Sequence, residues 1–410
     1  MIERIKKIIN MIGVDDYIIR EERERSLELY FVRRELDTKR SVSRCDHTVT
    51  LFRDHTDGEN EWCGMSRVIV FESMSDEEIR DKLRAGYDAA LYIKAEPYAM
   101  AEGVSDRREC PEVSPDDVAE RYREAMYEPD VESDAFINSA EIFTTLKYVR
   151  IVSSRSADVA YATFETAGEV VVQCKGEEDV ELCDTFRYEG EAYSSLRDRV
   201  REDLRAVRDR ASASRVLPSG SYDVILERDC VRTLVGYAYF QAEGKNIHTG
   251  YSQAKLGERL LGVLPDIRLV PHVPYSSEGI ALRERELLRD GVLRSVVCDM
   301  RYSSYLGCEP TGEYIRLRAG SGERSIAEMK AEPHLYIVSF SDFQFDELDG
   351  YFGGEVRLGY YFDGQVTRAV TGFSVSGNFR TAASVEYSSE RYSDYTYDGP
   401  AYIKIGGVTV

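Results

Sequence analysis

Gly350-Tyr-Phe-Gly-Gly-Glu-Val-Arg-Leu-Gly-Tyr-Tyr-Phe-Asp-Gly-Gln-Val-Thr-Arg-Ala-Val-Thr-Gly-Phe-Ser-Val-Ser-Gly-Asn378 is the stretch whose reading decides the fold class. Val356, Leu358 and Tyr360 alternate with polar or small residues, the pattern of a strand with one buried face. Asp363-Gly364 predicts a type I′ hairpin turn, in which both central residues take positive φ. Val366 to Val370 reads as the returning strand, and Phe373 and Val375 continue its apolar face. Gly377-Asn378 ends it with two residues that tolerate left-handed backbone. The stretch is therefore a glycine-rich hairpin, with its backbone left open to a close neighbour.

The rest of the chain extends this strand-rich picture and adds helices. Ile2, Ile5, Ile8, Ile9 and Ile12 line one side of a short helix over residues 1 to 14. Residues 15 to 56 read as strands, with Leu27, Leu29 and Phe31 on one face and a polar turn at Asp37-Thr38-Lys39. Trp62 to Phe71 adds another strand. Ser75 and Glu78 have capping-box spacing ahead of a helix with Ile79, Leu83 and Tyr87 on one side. Residues 97 to 113, with Gly103, Pro111 and many charges, read as a linker. Ser114-Pro115-Asp116-Asp117 opens a helix, since serine caps, proline suits the first turn and acids favour the positive helix end. Residues 137 to 187 predict strands with turns at Ala167-Gly168 and Lys175-Gly176. Leu196, Val200, Leu204, Val207 and Ala211 form the apolar stripe of a helix whose other face, almost all Arg, Asp and Glu, reads as solvated. Leu217-Pro-Ser-Gly220 breaks the pattern. A strand from Tyr222 to Leu226 and a helix from 228 to 241 follow, and past Gly291 the chain is mostly strands. The result is an α+β, β-rich multi-domain chain with mixed and antiparallel sheets. Its expected parts are residues 1–96, 97–216 and 217–410.

Charge and composition exclude some functions. Among the 410 residues, 53 basic stand against 74 acidic, a net charge of −21. Nucleic-acid surfaces rest on basic residues meeting phosphate, so no direct nucleic-acid partner is expected. No apolar stretch approaches the ~20 residues of a membrane span, and no signal-peptide core precedes Asn10. Eight scattered cysteines without a C-x-x-C pair read as reduced thiols of a cytoplasmic protein.

Candidate chemistry is sparse. The histidines are 47, 55, 248, 272 and 334, with no two at the helical spacing a zinc helix needs. Cys45 and His47 share a strand face, with His55 in the same parity, but no third ligand is evident, so no metal or other cofactor is expected. Cys298 and Cys308 read as core thiols. Ser374 and Ser376 lack the setting of a nucleophile elbow, and Gly320-Ser-Gly322 reads as a loop tip. Asp342, Asp346, Glu347 and Asp349 read as a solvated acidic loop, so no catalytic residue is assigned. Tyr387, Tyr392, Tyr395 and Tyr397 suit either a contact surface or cross-strand pairing.

Several ordered blocks resemble one family. The hairpin with its Ser376-Gly-Asn378 ending resembles the close of TldD/PmbA proteins, also named modulators of DNA gyrase. Leu217-Pro-Ser-Gly-Ser-Tyr-Asp-Val-Ile-Leu226 is similar to the start of the family's last domain. Pro274 to Ile280 with Leu287 to Leu293, and Asp299 to Gly307 with Pro310-Thr-Gly312, resemble two further blocks. In the TldD type, an HExxxH helix after the Tyr222–Leu226 strand and a C-terminal Cys hold zinc. Here that helix begins Glu227-Arg-Asp-Cys-Val-Arg-Thr-Leu234, and no Cys follows Asn378. The resemblance therefore implies the PmbA/TldE-like branch, a metal-free subunit that is non-catalytic alone. It would form a homodimer, or a heterodimer with a zinc-bearing TldD-type subunit, in a peptidase for small unfolded peptides. Gly353, Gly354, Gly377 and Asn378 are the expected peptide-cleft residues, since extended peptides pair with open strand edges. The alternative is a non-catalytic, self-assembling binding or scaffold protein.

Overall fold

The computed structural model describes residues 1–110, 112–132, 134–176 and 179–410. The first half runs α1 (Ile2–Ile12), β1 (Asp16–Val32), β2 (Glu35–Asp57), β3 (Asn60–Val70) and α2 (Asp76–Ala89). It continues through β4 (Ser105–Arg107), α3 (Pro115–Tyr127), β5 (Ala135–Ser153), β6 (Asp158–Cys174), β7 (Val180–Glu189) and α4 (Tyr193–Ala211). The second half begins with β8 (Ser221–Glu227), α5 (Asp229–Ala242), α6 (Gly244–His248), β9 (Ile267–Val270), β10 (Arg285–Arg289), β11 (Val292–Leu293), α7 (Met300–Leu306), β12 (Arg316–Ala319) and α8 (Ile326–Met329). It ends with β13 (His334–Phe345), β14 (Tyr351–Phe362), β15 (Thr367–Val370), β16 (Phe373–Asn378), β17 (Val385–Tyr387), β18 (Arg391–Ser393), β19 (Tyr397–Pro400) and β20 (Tyr402–Thr409). The class is α+β and β-rich.

One sheet, in the order β3-β2-β1-β5-β6-β4 with β7 also on β6, gathers the strands of the first half. It crosses the expected 96/97 boundary, because β1 pairs with β5 from Ile18↔Ser153 to Val32↔Ser139. Odd residues of β1 and β2, such as Ile19, Val49 and Leu51, pack under α1 and α2 with Ile5, Ile9, Ile79 and Leu83. The Ser75/Glu78 capping box and the Ser114 cap form as their sequences predict. Further along the sheet, α3 and α4 cover Leu29, Ile142 and Phe186.

Two turns and the linker segment differ from expectation. The β1–β2 turn lies at Arg33-Arg34, not Asp37-Thr38-Lys39, since Val32 pairs with Glu35. Arg33 takes φ 57° and is held by its N–H on the Asn138 carbonyl and by its guanidinium over the Phe136 ring. Ala167-Gly168 sits inside β6, where a Cβ on Gly168 would lie 2.0 Å from the Glu141 oxygen and 2.7 Å from the Phe186 ring. The chain turns instead near Ser156, at φ 66°. The segment read as a linker is a strap. Its β4 pairs in parallel with β6, and Tyr98 meets the rings of Phe52 and Tyr305 edge-on. Pro111 lies outside the described residues.

The second half holds two sheets. One runs β11-β10-β9-β12-β19-β18. In the other, the path β13-β8-β20-β16-β14 is closed by β13–β14 pairing. Closure removes free edges. The hairpin forms as read, β14 against β15 and then β16, but Phe362 pairs with Thr367, leaving four residues between the strands. Only Gly364 has positive φ, and the Asp363 carboxylate accepts the N–H groups of Gln365 and Val366. That Asx turn replaces the type I′ turn.

The hairpin backbone is not open. Gly353 and Gly354 pair with Gln344 and Phe343 on one side and with Ser376 and Val375 on the other. Their lack of side chain is used inside the sheet: a Cβ on Gly354 would lie 2.2 Å from the Asp342 oxygen. Gly354→Ala is therefore expected to lose about 3 kcal/mol of stability in urea unfolding. Gly236→Ala, in α5 with nothing near its Cβ, should gain about 0.5–1 kcal/mol. Equal effects at the two positions would refute this account.

Candidate functional site

The face of the first sheet opposite α1 and α2 looks onto the second half of the chain across a cleft of about 630 Å³. Alternate strand residues supply its floor, even-numbered on β1 and β2 (Arg20, Thr50, Phe52) and odd-numbered on β5 and β6 (Lys147, Tyr161). They face the cleft because neighbouring residues alternate sides of a strand. The roof comes from the connection between β9 and β10 and from the segment before β12, with His272, Tyr275, Glu278 and Glu313.

Glu278 sits on a tight loop that its sequence builds. The Ser276 hydroxyl accepts the N–H groups of Glu278 and Ile280, and Gly279 takes φ 83°. Tyr275 donates to the Asp106 carboxylate of the strap at 2.6 Å. The Glu278 carboxylate accepts the Met300 N–H at 2.9 Å. Burial pushes its carboxyl up to about 7, with Asp299 and Glu313 adding to the shift and the Met300 N–H opposing it. His272 goes the other way, down to about 4, from burial and then from Arg316. Its Nδ1 has no hydrogen-bond partner. A carboxyl that titrates near neutrality in a partly enclosed cleft is suited to proton transfer. Glu278 had been read only as part of a family-like block; its burial is a tertiary property.

The expected peptide-cleft residues lie elsewhere. Gly353 and Gly354 line a shallow concavity of about 620 Å³ with Phe345, Asp346 and Ser374. Gly377 opposes Phe352, and the Asn378 side chain closes the end of β16 by donating to the Asp349 carbonyl and accepting from the Arg380 and Thr381 N–H groups. All four belong to neighbouring positions of β14 and β16. Asp346 caps its own turn, accepting from Leu348 and Asp349. The tyrosine cluster works within the chain. Tyr392 accepts from Arg199, Tyr395 lies beside the guanidinium of Arg187, and Tyr397 is fully buried.

The helix after β8 does not fit a zinc ion. On α5, Arg232 is held by Asp394 at 3.3 Å, Thr396 at 3.0 Å and Asp229 at 3.2 Å. The Cys230 thiol is pushed well up by burial, with Asp229 adding to it. A cation where ligands are needed and a thiol that keeps its proton do not make a zinc site. Two other sequence candidates do come together. The sulfurs of Cys298 and Cys308 lie 3.5 Å apart as free thiols. Cys45 and His47 are joined by Glu72, not by His55, whose Nδ1 meets the Arg53 carbonyl.

This architecture, a long-stranded sheet facing a closed-strand domain across a cleft, is shared with solved structures. Residues 219–410 match the family described as the PmbA/TldA metallopeptidase C-terminal domain. The whole chain superposes on TldE from Thermococcus kodakarensis with a TM-score of 0.81 at 16% identity, covering 99% of both chains. A Thermotoga maritima protein described as a candidate modulator of a DNA gyrase gives 0.78 at 16% identity, covering 99% of this chain and 98% of that one. A "Metalloprotease" from Methanothermobacter thermautotrophicus is 29% identical over 39% of this chain and 41% of its own length. The match thus spans about two fifths of that relative. The match to that family is confined to the C-terminal domain, and the likeness to the TldE structure in fold runs over the whole chain.

Among the described residues, no helix is long and apolar enough to cross a membrane.

Proposed function

We propose that the chain is a PmbA/TldE-type subunit of a cytoplasmic TldD/PmbA-type peptidase, non-catalytic alone. The observation that carries this is the state of α5, where Arg232, held by Asp229 of the same helix and by Asp394, stands on the helix that holds the ligands in TldD-type chains. The chain shapes the chamber in which a small unfolded peptide lies, and a zinc-bearing partner supplies the chemistry that activates water. The cleft beneath Glu278 is the part of this chain that takes the peptide. Its basic floor residues suit peptide carboxylates, and Glu278 and Glu313 suit amino groups.

The test is reconstitution with a zinc-bearing TldD-type subunit. Peptidase activity should appear in the mixture, at least about 100-fold above either chain alone, and chelation should abolish it. Light scattering on the same sample should show a heterodimer. Full activity from this chain alone would refute the reading. A homodimer, silent with every zinc-bearing candidate, would replace it with a self-assembling binding protein.

A further inference from the structure

The helix-covered face of the first sheet ends in a polar cluster that neither the cleft nor α5 uses. Glu21 of β1 lies opposite His47, and Val70 of β3 lies on the other side. Continuing that register brings Glu72, on the connection to α2, beside Cys45. One ligand atom from each of Cys45, His47 and Glu72 lies within 4.8 Å of the others.

The histidine is prepared as a ligand. His47 is 0% exposed. Its Nε2 meets Glu21 Oε2 at 3.1 Å, and its Nδ1 has no partner. Buried polar atoms are normally paired, so the bare nitrogen calls for an explanation. A carboxylate on the far nitrogen is the arrangement that fixes and orients a metal-bound imidazole. Glu21 is itself held by Arg23 at 2.7 Å. A bound cation displaces the proton of the thiol that ligates it.

We propose that Cys45, His47 and Glu72 form a site for zinc or a divalent ion of similar softness, with Glu21 orienting His47. Sulfur, imidazole and carboxylate suit zinc, whereas calcium and magnesium take oxygen ligands. Glu72 is exposed and Cys45 half-exposed, so the ion enters from solvent and keeps a fourth position for water. One proton leaves the Cys45 thiol for each ion bound. The ion braces β2 against the connection from β3 to α2.

The site is independent of the peptidase reading, since none of its residues lies on α5 or lines the cleft. The full chain, stripped by chelator, is dialysed against zinc chloride alone or cobalt chloride alone. We expect one zinc per chain by elemental analysis, a thiolate-to-cobalt absorption band, and a higher Tm with zinc. Cys45→Ser and the surface change Glu72→Gln should each weaken zinc binding at least about 10-fold. Cys183→Ser should leave it unchanged. Well under one zinc in the parent chain, or full zinc in both ligand variants, would overturn the proposal.

Discussion

Arg199→Ala is expected to cost about 3 kcal/mol of stability, because it leaves the partly buried Asp184 without its buried partner. Arg199 is 7% exposed and donates to both oxygens of Asp184 on β7. It also donates to the Tyr392 hydroxyl at 2.9 Å and lies 3.7 Å from Asp229 at the start of α5. One guanidinium therefore contacts both halves of the chain, beside other links such as Tyr275 to Asp106. Burial by itself would lower its proton affinity; Asp184 outweighs that and holds it charged. Without Arg199, the Asp184 carboxylate would stand unpaired beside Asp203, whose own carboxyl is pushed well up by burial and by Asp184. Urea unfolding measures the loss. Lysine should restore only part of it, since one ammonium cannot reproduce the fork of donors. Removing Asp184 together with Arg199 should cost less than removing Arg199 alone. A loss below about 1 kcal/mol for Arg199→Ala would show the pair to be screened like a surface bridge.

The second large effect depends on pH. The Glu278 carboxyl titrates near 7 in the fold against an ordinary 4.5. Between those values the unfolded chain has released this proton and the folded chain keeps it. Stability from this group is therefore full at low pH and falls as pH rises through the folded value. Glu278→Gln has no charge to bury and its amide oxygen can still accept the Met300 N–H. The variant should be more stable than the parent by roughly 2 kcal/mol at about pH 8, after allowing for residual exposure. The gain should shrink as pH falls to about 5.5. Paired urea titrations at the two pH values test this. A difference that does not change with pH, or a variant weaker at both, would contradict the buried-carboxyl account. If Glu278 also moves protons for the reconstituted peptidase, the same substitution should lower kcat more than it raises KM.

How far residues reveal their roles differs along the chain. Local signals were legible wherever the physics is local. The capping box at Ser75 and Glu78, the Ser114 cap and the hairpin strands formed as read, and the apolar stripe of α4 formed from Leu196 to Val207, with Ala211 exposed and Arg199 buried beside it. So were the family-like blocks, including the α5 stretch without histidines. Glycine was the ambiguous letter. Gly168 reads as a turn and Gly353-Gly354 as open backbone, yet each sits where a neighbouring carbonyl or ring needs the space. Arg33 and Arg34, by contrast, carry no turn signature, because the constraint on Arg33 comes from Asn138 and Phe136, over a hundred residues away.

The sequence by itself determined the class of fold, the C-terminal family and the absence of a helix-borne zinc motif. These rest on periodicity, caps and residue identity, which are properties of neighbours along the chain. Only the tertiary structure decided which charges are buried and which ligands meet. Arg199 is one of many arginines on a charged helix until Asp184 and Tyr392 close over it. Glu278 becomes a near-neutral acid only when the first sheet covers it. Cys45 and His47 gain Glu72 only through the pairing of β2 with β3. Desolvation and coordination depend on distances through space, and those are set when segments far apart in the chain pack together.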